Sequence, residues 1–154
     1  LDRSFAAQKW KNMDSKLWLE AADEAMDKEF HGQYDIWGGD IDPAAVELAK
    51  HNAALAGVDD CIRFEAADAG KFHRDSEYGQ LVTNPPYGER LLEKKEAEEL
   101  YRAFGAALRD LPPKWRVLVL SSHTEFERCF GRTADKKRKL YNGMINCDVF
   151  MYGR

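Results

Sequence analysis

The sequence is poor in cysteine and histidine, and neither residue type forms a recognisable motif. Cys61, Cys129 and Cys147 are odd in number and far apart, which suits neither a disulfide framework nor a Cys-x-x-Cys metal site. The histidines are equally dispersed, and we expect them at surface or capping positions rather than in catalysis. This scarcity is consistent with a reducing cytoplasm. The histidines are His31, His51, His73 and His123.

Long hydrophobic runs are also absent. No apolar segment approaches the roughly 18 residues of a membrane span, and no secretory signal follows Leu1, so we expect a soluble protein. The 154 residues are 44% hydrophobic and contain no internal repeat, which predicts a single domain over residues 1–154. Because the first residue is Leu rather than Met, we expect the numbering to begin inside a longer gene product.

A strong overall charge is absent too, since the formal net charge is −4. This value argues against a uniformly basic surface for nucleic acids, although charges of opposite sign are segregated along the chain. A basic stretch lies between residues 128 and 139, and an acidic one lies between residues 93 and 99. Such runs are more often solvated faces than binding sites. The charged residues are Arg128, Arg132, Lys136, Lys137, Arg138 and Lys139 in the first stretch, and Glu93, Glu96, Glu98 and Glu99 in the second.

What the sequence does contain is an alternation of helix and strand signals. Helical spacing of apolar residues predicts a helix from Asp14 to about Phe30 and a second from Pro43 to Gly57, with Asp42 as its N-cap. The order of all these elements predicts an α/β fold with a mostly parallel sheet and an antiparallel carboxyl-terminal hairpin. The other predicted elements are strands at residues 34–39, 62–66, 80–83 and 117–120, helices at residues 97–108 and 125–130, and a hairpin of residues 137–141 and 145–151 around Asn142-Gly143.

One segment indicates a chemistry. Residues 81–87 read Leu-Val-Thr-Asn-Pro-Pro-Tyr, a strand-like run that turns at Asn84 because the two prolines cannot donate ladder hydrogen bonds. An exocyclic amine on an aromatic ring is a poor nucleophile, because its lone pair is delocalised. Asn84 Oδ1 and the Pro85 carbonyl could accept its two N–H bonds, and Tyr87 could stack on the planar substrate. A strand-ending turn with a core tyrosine is the simpler interpretation, but the full Asn-Pro-Pro-Tyr pattern favours function.

Two aspartates follow neighbouring predicted strands. Ligands of open α/β sheets bind beyond the carboxyl ends of the strands, so we expect Asp40, Asp68 and Asn84 to share one crevice. Asp40 could accept both hydroxyls of a ribose, and Asp68 could accept from an adenine amino group. Taken alone, an aspartate after a strand is as often a turn residue. Its repetition at successive strand ends favours binding.

These motifs together resemble those of the class I S-adenosylmethionine-dependent methyltransferases that methylate amino groups. A narrower set is similar to the bacterial large-subunit ribosomal RNA guanine methyltransferases, whose members often carry an amino-terminal THUMP RNA-binding domain or are labelled adenine-specific DNA methylases. The resemblance covers nearly the whole chain. The broad match uses Gly39-Asp40-Ile41-Asp42-Pro43, Asp68 and residues 84–91 (Asn-Pro-Pro-Tyr-Gly-Glu-Arg-Leu), and the narrow match uses Arg3-Ser4-Phe5-Ala6, Trp10 and Tyr141-Asn142-Gly143.

The resemblance implies a Rossmann-like catalytic domain and a role for each motif residue. Asp40 would bind the cofactor ribose, Ile41 would pack against the adenine, and Asp68 would accept from its amino group. The target base would be held by the Asn-Pro-Pro-Tyr segment, and no metal would be needed. The implied cofactor-binding residues are Asp40, Ile41, Asp68, Ala69 and Asn84, and the implied catalytic residues are Asn84, Pro85, Pro86 and Tyr87.

One motif of that family is missing. The first cofactor motif, Asp-Pro-x-Cys-Gly-Ser-Gly, should precede Arg3, and Gly38-Gly39 cannot replace it because this pair directly precedes Asp40. The chain therefore resembles a catalytic domain without its first, central strand and methionine-cradling loop. We expect these residues alone to bind S-adenosylmethionine poorly. We also expect exposed sheet edges, through which copies of the chain would self-associate.

Three functions remain open at this stage. The first is methyl transfer to a base amino group in RNA, with guanine of large-subunit ribosomal RNA as the target and the cytoplasm as the location. The second keeps the chemistry but acts on DNA adenine or a protein glutamine, because the same four residues suit any planar amine. The third is a non-catalytic RNA-binding fragment that uses the basic stretch of residues 128–139.

Overall fold

The computed structural model describes residues 5–30, 32–88 and 91–153, which form an alternating series of helices and strands. Short 3₁₀ turns connect several of these elements. The helices are α1 (Ser15–Asp27), α2 (Pro43–Ala56), α3 (Leu91–Ala107) and α4 (Phe126–Phe130), and the strands are β1 (Ile36–Asp40), β2 (Ile62–Ala66), β3 (Tyr78–Thr83), β4 (Lys114–Ser121), β5 (Lys136–Asn142) and β6 (Ile145–Tyr152).

Each predicted element is present, with most differences at the ends. The Asp14 carboxylate accepts the N–H of Lys16 at 2.8 Å and so begins α1, as predicted, but the helix ends at Asp27 rather than near Phe30. Helix α2 begins at Pro43 and ends at Ala56, before Gly57 with its positive φ of 68°. The short signals are therefore reliable where a cap or a stop residue marks the end.

The strands form two sheets. One is the pair β1–β2, and the other has the order β3-β4-β6-β5. In the larger sheet β3 and β4 are parallel, whereas β6 is antiparallel to both β4 and β5. The predicted α/β fold with an antiparallel carboxyl-terminal hairpin is confirmed, and the larger sheet is mixed rather than mostly parallel.

The hairpin turn lies one residue later than its sequence signal. Asn142 pairs with Ile145 as the last rung, so the two loop residues are Gly143 and Met144. Only Gly143 has a positive φ, of 61°, which is the pattern of a turn with glycine at its first central position. This shift places Asn142 on the strand rather than in the turn.

The chain divides into two compact units. The first contains Ala44–Glu65 and the residues up to Gly38, and the second contains Gly39–Pro43 and the residues from Ala66 onward. In the first unit α2 buries Val46 and Ala53. The candidate site residues all belong to the second unit.

The core of the second unit lies on one face of the larger sheet, under α3 and α4. Its rings pack closely, and Phe126 contacts Phe130 and Phe150 with ring centroids 5.1 and 4.5 Å apart. Helices α3 and α4 approach so closely that a Cβ on Gly105 would lie 2.0 Å from the Phe130 carbonyl oxygen. The core residues are Ala97, Tyr101, Phe104, Val117, Val119, Phe126, Cys129, Phe130, Phe150 and Tyr152.

Strand β3 lies at an edge of this sheet. In the part of the chain that the structure describes, it pairs with β4 alone, and Val82 is 70% exposed. An unpaired edge can template pairing with another chain. Self-association through such an edge stays a prediction. The helices among the described residues are too short or too polar to cross a membrane.

Candidate active site

The Asn84–Tyr87 turn follows directly from the end of β3. Thr83 is the last β3 residue in the ladder and lies opposite Val119 of β4. Asn84 follows it, and the two prolines, Pro85 and Pro86, come directly after Asn84. Gly88 ends the turn with a φ of 67°, and a Cβ there would lie 2.5 Å from the Lys94 Cα. Only glycine fits at this position, because the backbone conformation and the close approach to α3 both exclude a side chain.

The Tyr87 hydroxyl lies between two asparagine side chains. It donates to Asn84 Oδ1 at 2.6 Å and accepts from Asn142 Nδ2 at 3.2 Å. Burial raises the pKa of Tyr87, so the hydroxyl remains protonated at neutral pH and can serve as this donor. The turn after β3 is thereby linked to the last residue of β5.

Asn142 is a site residue that our motif analysis did not assign to the site. The sequence showed it only as part of a hairpin signal and of the family resemblance. No local pattern could have revealed the contact, because 55 residues separate Asn142 from Tyr87. The one signal in the sequence is that Asn142 is a hydrogen-bonding residue at the end of a predicted strand. This signal points to the site only once the order of the strands in the sheet is known.

A second tyrosine, Tyr101, is hydrogen-bonded to the backbone of the Asn84–Tyr87 segment. Tyr101 of α3 is 0% exposed, and its hydroxyl donates to the Pro86 carbonyl at 2.5 Å and lies 3.3 Å from Ser121 Oγ. Burial raises the pKa of Tyr101, which keeps this donor protonated. The sequence predicted Tyr101 only as part of an apolar helix face. Since a buried tyrosine hydroxyl needs a polar partner, its place on that face was the signal for a contact of this kind.

His123 extends this buried polar group. Its Nδ1 accepts the N–H of Glu125 at 3.1 Å, so a neutral ring carries its proton on Nε2. Among the described residues Nε2 has no hydrogen-bond partner, and Glu98 Oε1 at 3.6 Å is within ion-pair distance only. Burial, and to a smaller extent Lys94, lowers the pKa of His123. The expectation of a surface position was wrong for this histidine, which is 6% exposed and packs against the Tyr101 ring, whereas its bond to the Glu125 N–H before α4 is of the capping type.

Asp40 ends β1 with its carboxylate at the surface. Oδ1 accepts the N–H of Asp42 at 2.9 Å, and the backbone carbonyl accepts the N–H of Ala67 at 2.8 Å. The second bond brings the carboxyl ends of β1 and β2 side by side, as predicted. The next residue, Ile41, is 72% exposed, so its apolar side chain is accessible to a ligand beside the Asp40 carboxylate.

Asp68 lies one residue beyond Ala67 and caps a short turn. Its Oδ1 accepts the N–H of Gly70 at 2.8 Å and begins the 3₁₀ helix Ala69–Lys71, while its Oδ2 lies 4.0 Å from Lys71 Nζ. This is the turn-forming role that the sequence allowed as the alternative. The second carboxylate oxygen makes no hydrogen bond to any described residue, so the capping role leaves an acceptor for a ligand.

The predicted site residues thus form two groups. Asp40 and Asp68 meet through Ala67, and Asn84 joins Tyr87 in the turn after β3. No hydrogen bond or ion pair joins these groups among the described residues, so a single shared crevice stays a prediction. Four residues of the matching motifs, and one of the histidines, lie outside the described residues. They are Arg3, Ser4, Glu89, Arg90 and His31.

A cavity of about 380 Å³ lies between the turn and α3. Its lining is mostly apolar and includes two acidic residues, Glu93 and Glu96, one helical turn apart on α3. In the described segments no three histidine, cysteine or acidic side chains cluster as metal ligands. The lining residues are Pro86, Tyr87, Gly88, Glu93, Glu96, Ala97 and Leu100.

Several known proteins are similar to this chain in sequence and in fold. The family model described as "UPF0020: RMKL-like, methyltransferase domain" matches residues 2–150. "Putative RNA methyltransferase YpsC" of Bacillus subtilis (strain 168) is 41% identical over 152 residues, which cover 98% of this chain and 39% of that protein. "Ribosomal RNA large subunit methyltransferase K/L" of Shewanella baltica (strain OS185) is 37% identical over 157 residues, covering 99% of this chain and 22% of that protein.

A solved structure agrees closely with the fold. "Crystal structure of SMU.472, a putative methyltransferase complexed with SAH" superposes with a TM-score of 0.88 at 38% identity, covering 99% of this chain and 41% of that one. The chain therefore spans less than half the length of these relatives. Since the family model covers nearly every residue, the chain belongs to the RMKL-like methyltransferase domain family, UPF0020.

Proposed function

We propose that this chain takes part in methyl transfer from S-adenosylmethionine to an exocyclic amino group of a base in RNA. The target we favour is a guanine of large-subunit ribosomal RNA. The observation that carries the proposal is the turn after β3, in which Asn84 Oδ1 faces the Tyr87 hydroxyl at 2.6 Å while Asn84 itself remains exposed. The names of the two relatives, both RNA methyltransferases, support RNA as the substrate class.

The turn can hold and activate an amine. An amide oxygen has two lone pairs, so Asn84 Oδ1 can accept a substrate N–H while it keeps the Tyr87 hydroxyl. A second N–H would bond to the Pro85 carbonyl, and the two bonds would hold the nitrogen lone pair out of conjugation. With S-adenosylmethionine bound, Asn84 and Pro85 would hold that lone pair toward the methyl group that the cofactor supplies, and the displaced proton of the amine would leave to water. Orientation of this kind can lower the barrier by roughly 7–11 kcal/mol.

The residues after β1 and β2 fit the nucleoside part of the cofactor. The free oxygen of Asp40 suits ribose hydroxyls, the exposed Ile41 suits an adenine face, and the free oxygen of Asp68 and the backbone of Ala69 suit its polar edge. S-adenosylmethionine, when bound, supplies a methyl group on a positively charged sulfur. These residues would bind and orient it beyond the carboxyl ends of the strands, where open α/β sheets bind their ligands.

The cavity beside Tyr87 favours guanine over adenine. Guanine presents an N1–H and an amino group on one edge, and both are donors, whereas the corresponding ring nitrogen of adenine is an acceptor. The Glu96 carboxylate, which lines the cavity, is an acceptor only, so it would match the guanine N1–H and repel the adenine ring nitrogen, while the amino N–H bonds go to Asn84 and Pro85. Tyr87 supplies a ring on which an extruded base would stack.

Replacing Glu96 by glutamine tests both the reaction and the base. We would measure methyl transfer to unmodified large-subunit ribosomal RNA by the protein at its natural length, and then to short RNAs with guanine or 2-aminopurine at the modified position. 2-Aminopurine keeps the target amine but lacks the N1–H. The wild type should prefer guanine, and E96Q should lose about tenfold or more in kcat/KM on guanine and little on 2-aminopurine.

Glu99 provides the matched control, because it lies one turn further along α3 and does not line the cavity. E99Q should behave as the wild type. Transfer to duplex DNA adenine or to a protein glutamine, with none to RNA, would overturn the proposal in favour of the second function. RNA binding without any transfer would favour a non-catalytic role.

A further inference from the structure

Strand β5 carries most of the basic stretch, and its two faces differ in how their charges are balanced. Side chains alternate along a strand, so Lys137 and Lys139 lie on one face, and Lys136 and Arg138 lie on the other. All seven residues of β5 are exposed, and the strand forms the edge of the sheet. The partners of each lysine and arginine therefore decide what the strand can bind.

On the first face the cations lie beside acidic side chains. Lys137 Nζ donates to Glu127 Oε2 at 2.8 Å and lies 5.9 Å from the centre of the Phe150 ring. Lys139 has Asp148 as its cross-strand neighbour, although the two form no ion pair within the described residues. These acidic neighbours lower the positive potential that the first face offers to a ligand.

On the second face the cations have no acidic neighbour across the ladder. Lys136 pairs with Met151 and Arg138 pairs with Val149, and neither cation forms an ion pair within the residues that the structure describes. Continuing along this face, Leu140 follows and is 41% exposed. Lysines on an edge strand also hinder aggregation, because they disfavour pairing with other chains. That role does not explain why the cations of one face have no acidic neighbours.

This second face leads directly to the candidate site. Asn142 is the next residue on it after Leu140, and its amide donates to the Tyr87 hydroxyl at 3.2 Å. From the rise of a strand, Arg138 lies about 13 Å and Lys136 about 20 Å from Asn142 along β5. A negatively charged chain with its reacting group at Tyr87 would thus meet both cations.

We propose that this face of β5, defined by Lys136, Arg138, Leu140 and Asn142, binds the phosphate backbone of the RNA strand that flanks the target base. The inference rests on the proposed function, because it assumes that the base at Tyr87 belongs to RNA. Phosphates lie at both uncompensated cations, and Leu140 contacts a sugar or base between the Arg138 phosphate and the target base. The strand positions the RNA without reading its sequence, since its charged contacts are to phosphate.

The test is the salt dependence of RNA binding by the protein at its natural length. A fluorescently labelled single-stranded RNA of mixed sequence would be titrated by anisotropy from 50 to 300 mM salt. In the double variant K136A/R138A we expect affinity at the lowest salt to fall about tenfold. The slope of log K against log salt concentration should become shallower by about 1.4, since each phosphate contact to a single strand contributes about 0.7.

The control removes the same charge elsewhere in the second unit. Lys95 of α3 and Arg109 after it are both exposed, so K95A/R109A changes the net charge equally. If the two double variants give equal affinities and slopes, the proposal is wrong. Photocrosslinking of RNA that contains 4-thiouridine gives a second measurement, and crosslinks that avoid residues 136–142 would also overturn it.

Failure of this inference can be told apart from failure of the proposed function. If K136A/R138A loses affinity and has a shallower salt slope, but the wild type transfers no methyl group, then this face of β5 binds RNA and the proposed enzymatic function is wrong. Transfer to RNA by the wild type, with K136A/R138A equal to its control, would do the reverse. Both variants alter exposed side chains only, and circular dichroism should show an unchanged melting temperature.

Discussion

At the scale of single residues, the Tyr87 hydroxyl fixes the direction of a ring that would stack on the target base. Asn84 and Asn142 hold this hydroxyl from two sides, and Tyr101 holds the neighbouring Pro86 carbonyl. Asn142 therefore acts through Tyr87, as a positioning residue. Its loss should affect the placement of the base more than the stability of the chain, because Asn142 is exposed.

We predict that N142A lowers kcat/KM for RNA about threefold to tenfold, mainly through KM. The reason is that Tyr87 loses one neutral hydrogen bond, worth about 0.5–1.5 kcal/mol, and its ring becomes less well oriented. Steady-state methyl transfer measures this effect. In a Y87F background the same substitution should have almost no effect, because the hydroxyl through which it acts is gone.

Asn146 is the control for this prediction. It is an exposed asparagine on the partner strand of the same hairpin, opposite Tyr141. N146A should retain wild-type kcat and KM. An N142A enzyme with wild-type kinetics, or an equal effect of N142A with and without the Tyr87 hydroxyl, would show that Asn142 does not position the ring.

At the scale of elements, a buried polar group connects α3, β4 and the loop before α4 to the turn after β3. The Tyr101 hydroxyl links Pro86 to Ser121, and Ser121 Oγ accepts the N–H of His123 at 3.1 Å. These bonds lie against the aromatic core, where an unsatisfied polar atom is costly. The turn is therefore held by the same elements that make up the core of the second unit.

This arrangement predicts a pH dependence of stability. The pKa of His123 is lowered in the folded chain, so the unfolded chain binds the proton more readily. The stabilisation is complete above the ordinary histidine pKa of about 6.5 and is lost as the pH falls below it toward the lower folded value, by at most about 1.4 kcal/mol per pH unit. Urea unfolding at pH 7.5 and 5.5 should show this decrease for the wild type and a smaller one for H123N.

The asparagine in H123N can replace Nδ1 as the acceptor for the Glu125 N–H, so the variant should fold. His51, exposed on α2, serves as the comparison. H51N should show the same pH dependence as the wild type. If H123N loses as much stability as the wild type between the two pH values, the buried histidine is not the cause.

At the scale of the whole molecule, the chain provides contacts for a base and for a nucleoside but shows little that would enclose the methionine part. Its residues contain no Gly-rich loop after a strand ahead of Asp40. The described β3 edge is also unpaired on one side. The first feature bears on how tightly these 154 residues bind the cofactor when they are produced alone, and the second bears on whether they self-associate.

We predict that residues 1–154 alone bind S-adenosylmethionine more weakly than micromolar. The expected contacts at Asp40 and Asp68 fix only the nucleoside, and the charged amino-acid part would remain in water. Isothermal titration calorimetry measures this affinity, with D40A as the control for binding at the proposed site. Micromolar or tighter binding that D40A abolishes would contradict the prediction.

Much of this arrangement could be predicted from local sequence. The Asp14 cap, the stop at Gly57 and the end of β3 before Asn84 are governed by neighbours a few residues away, and each is present in the structure. Contacts between distant segments could not be predicted in the same way. The Tyr101–Pro86 and Tyr87–Asn142 bonds depend on sheet order and on a turn that lies one residue later than its signal.

The sequence by itself determined the order of helices and strands and the end of β3 before the Asn84–Tyr87 segment, because propensity, caps and proline geometry act over a few residues. Its motifs also identified the family. The tertiary structure decided which side chains hold that turn and which cations of the basic stretch remain uncompensated. Both depend on long-range pairing, in particular the antiparallel register of β5 and β6, which brings Asn142 to Tyr87 and gives Lys136 and Arg138 apolar partners.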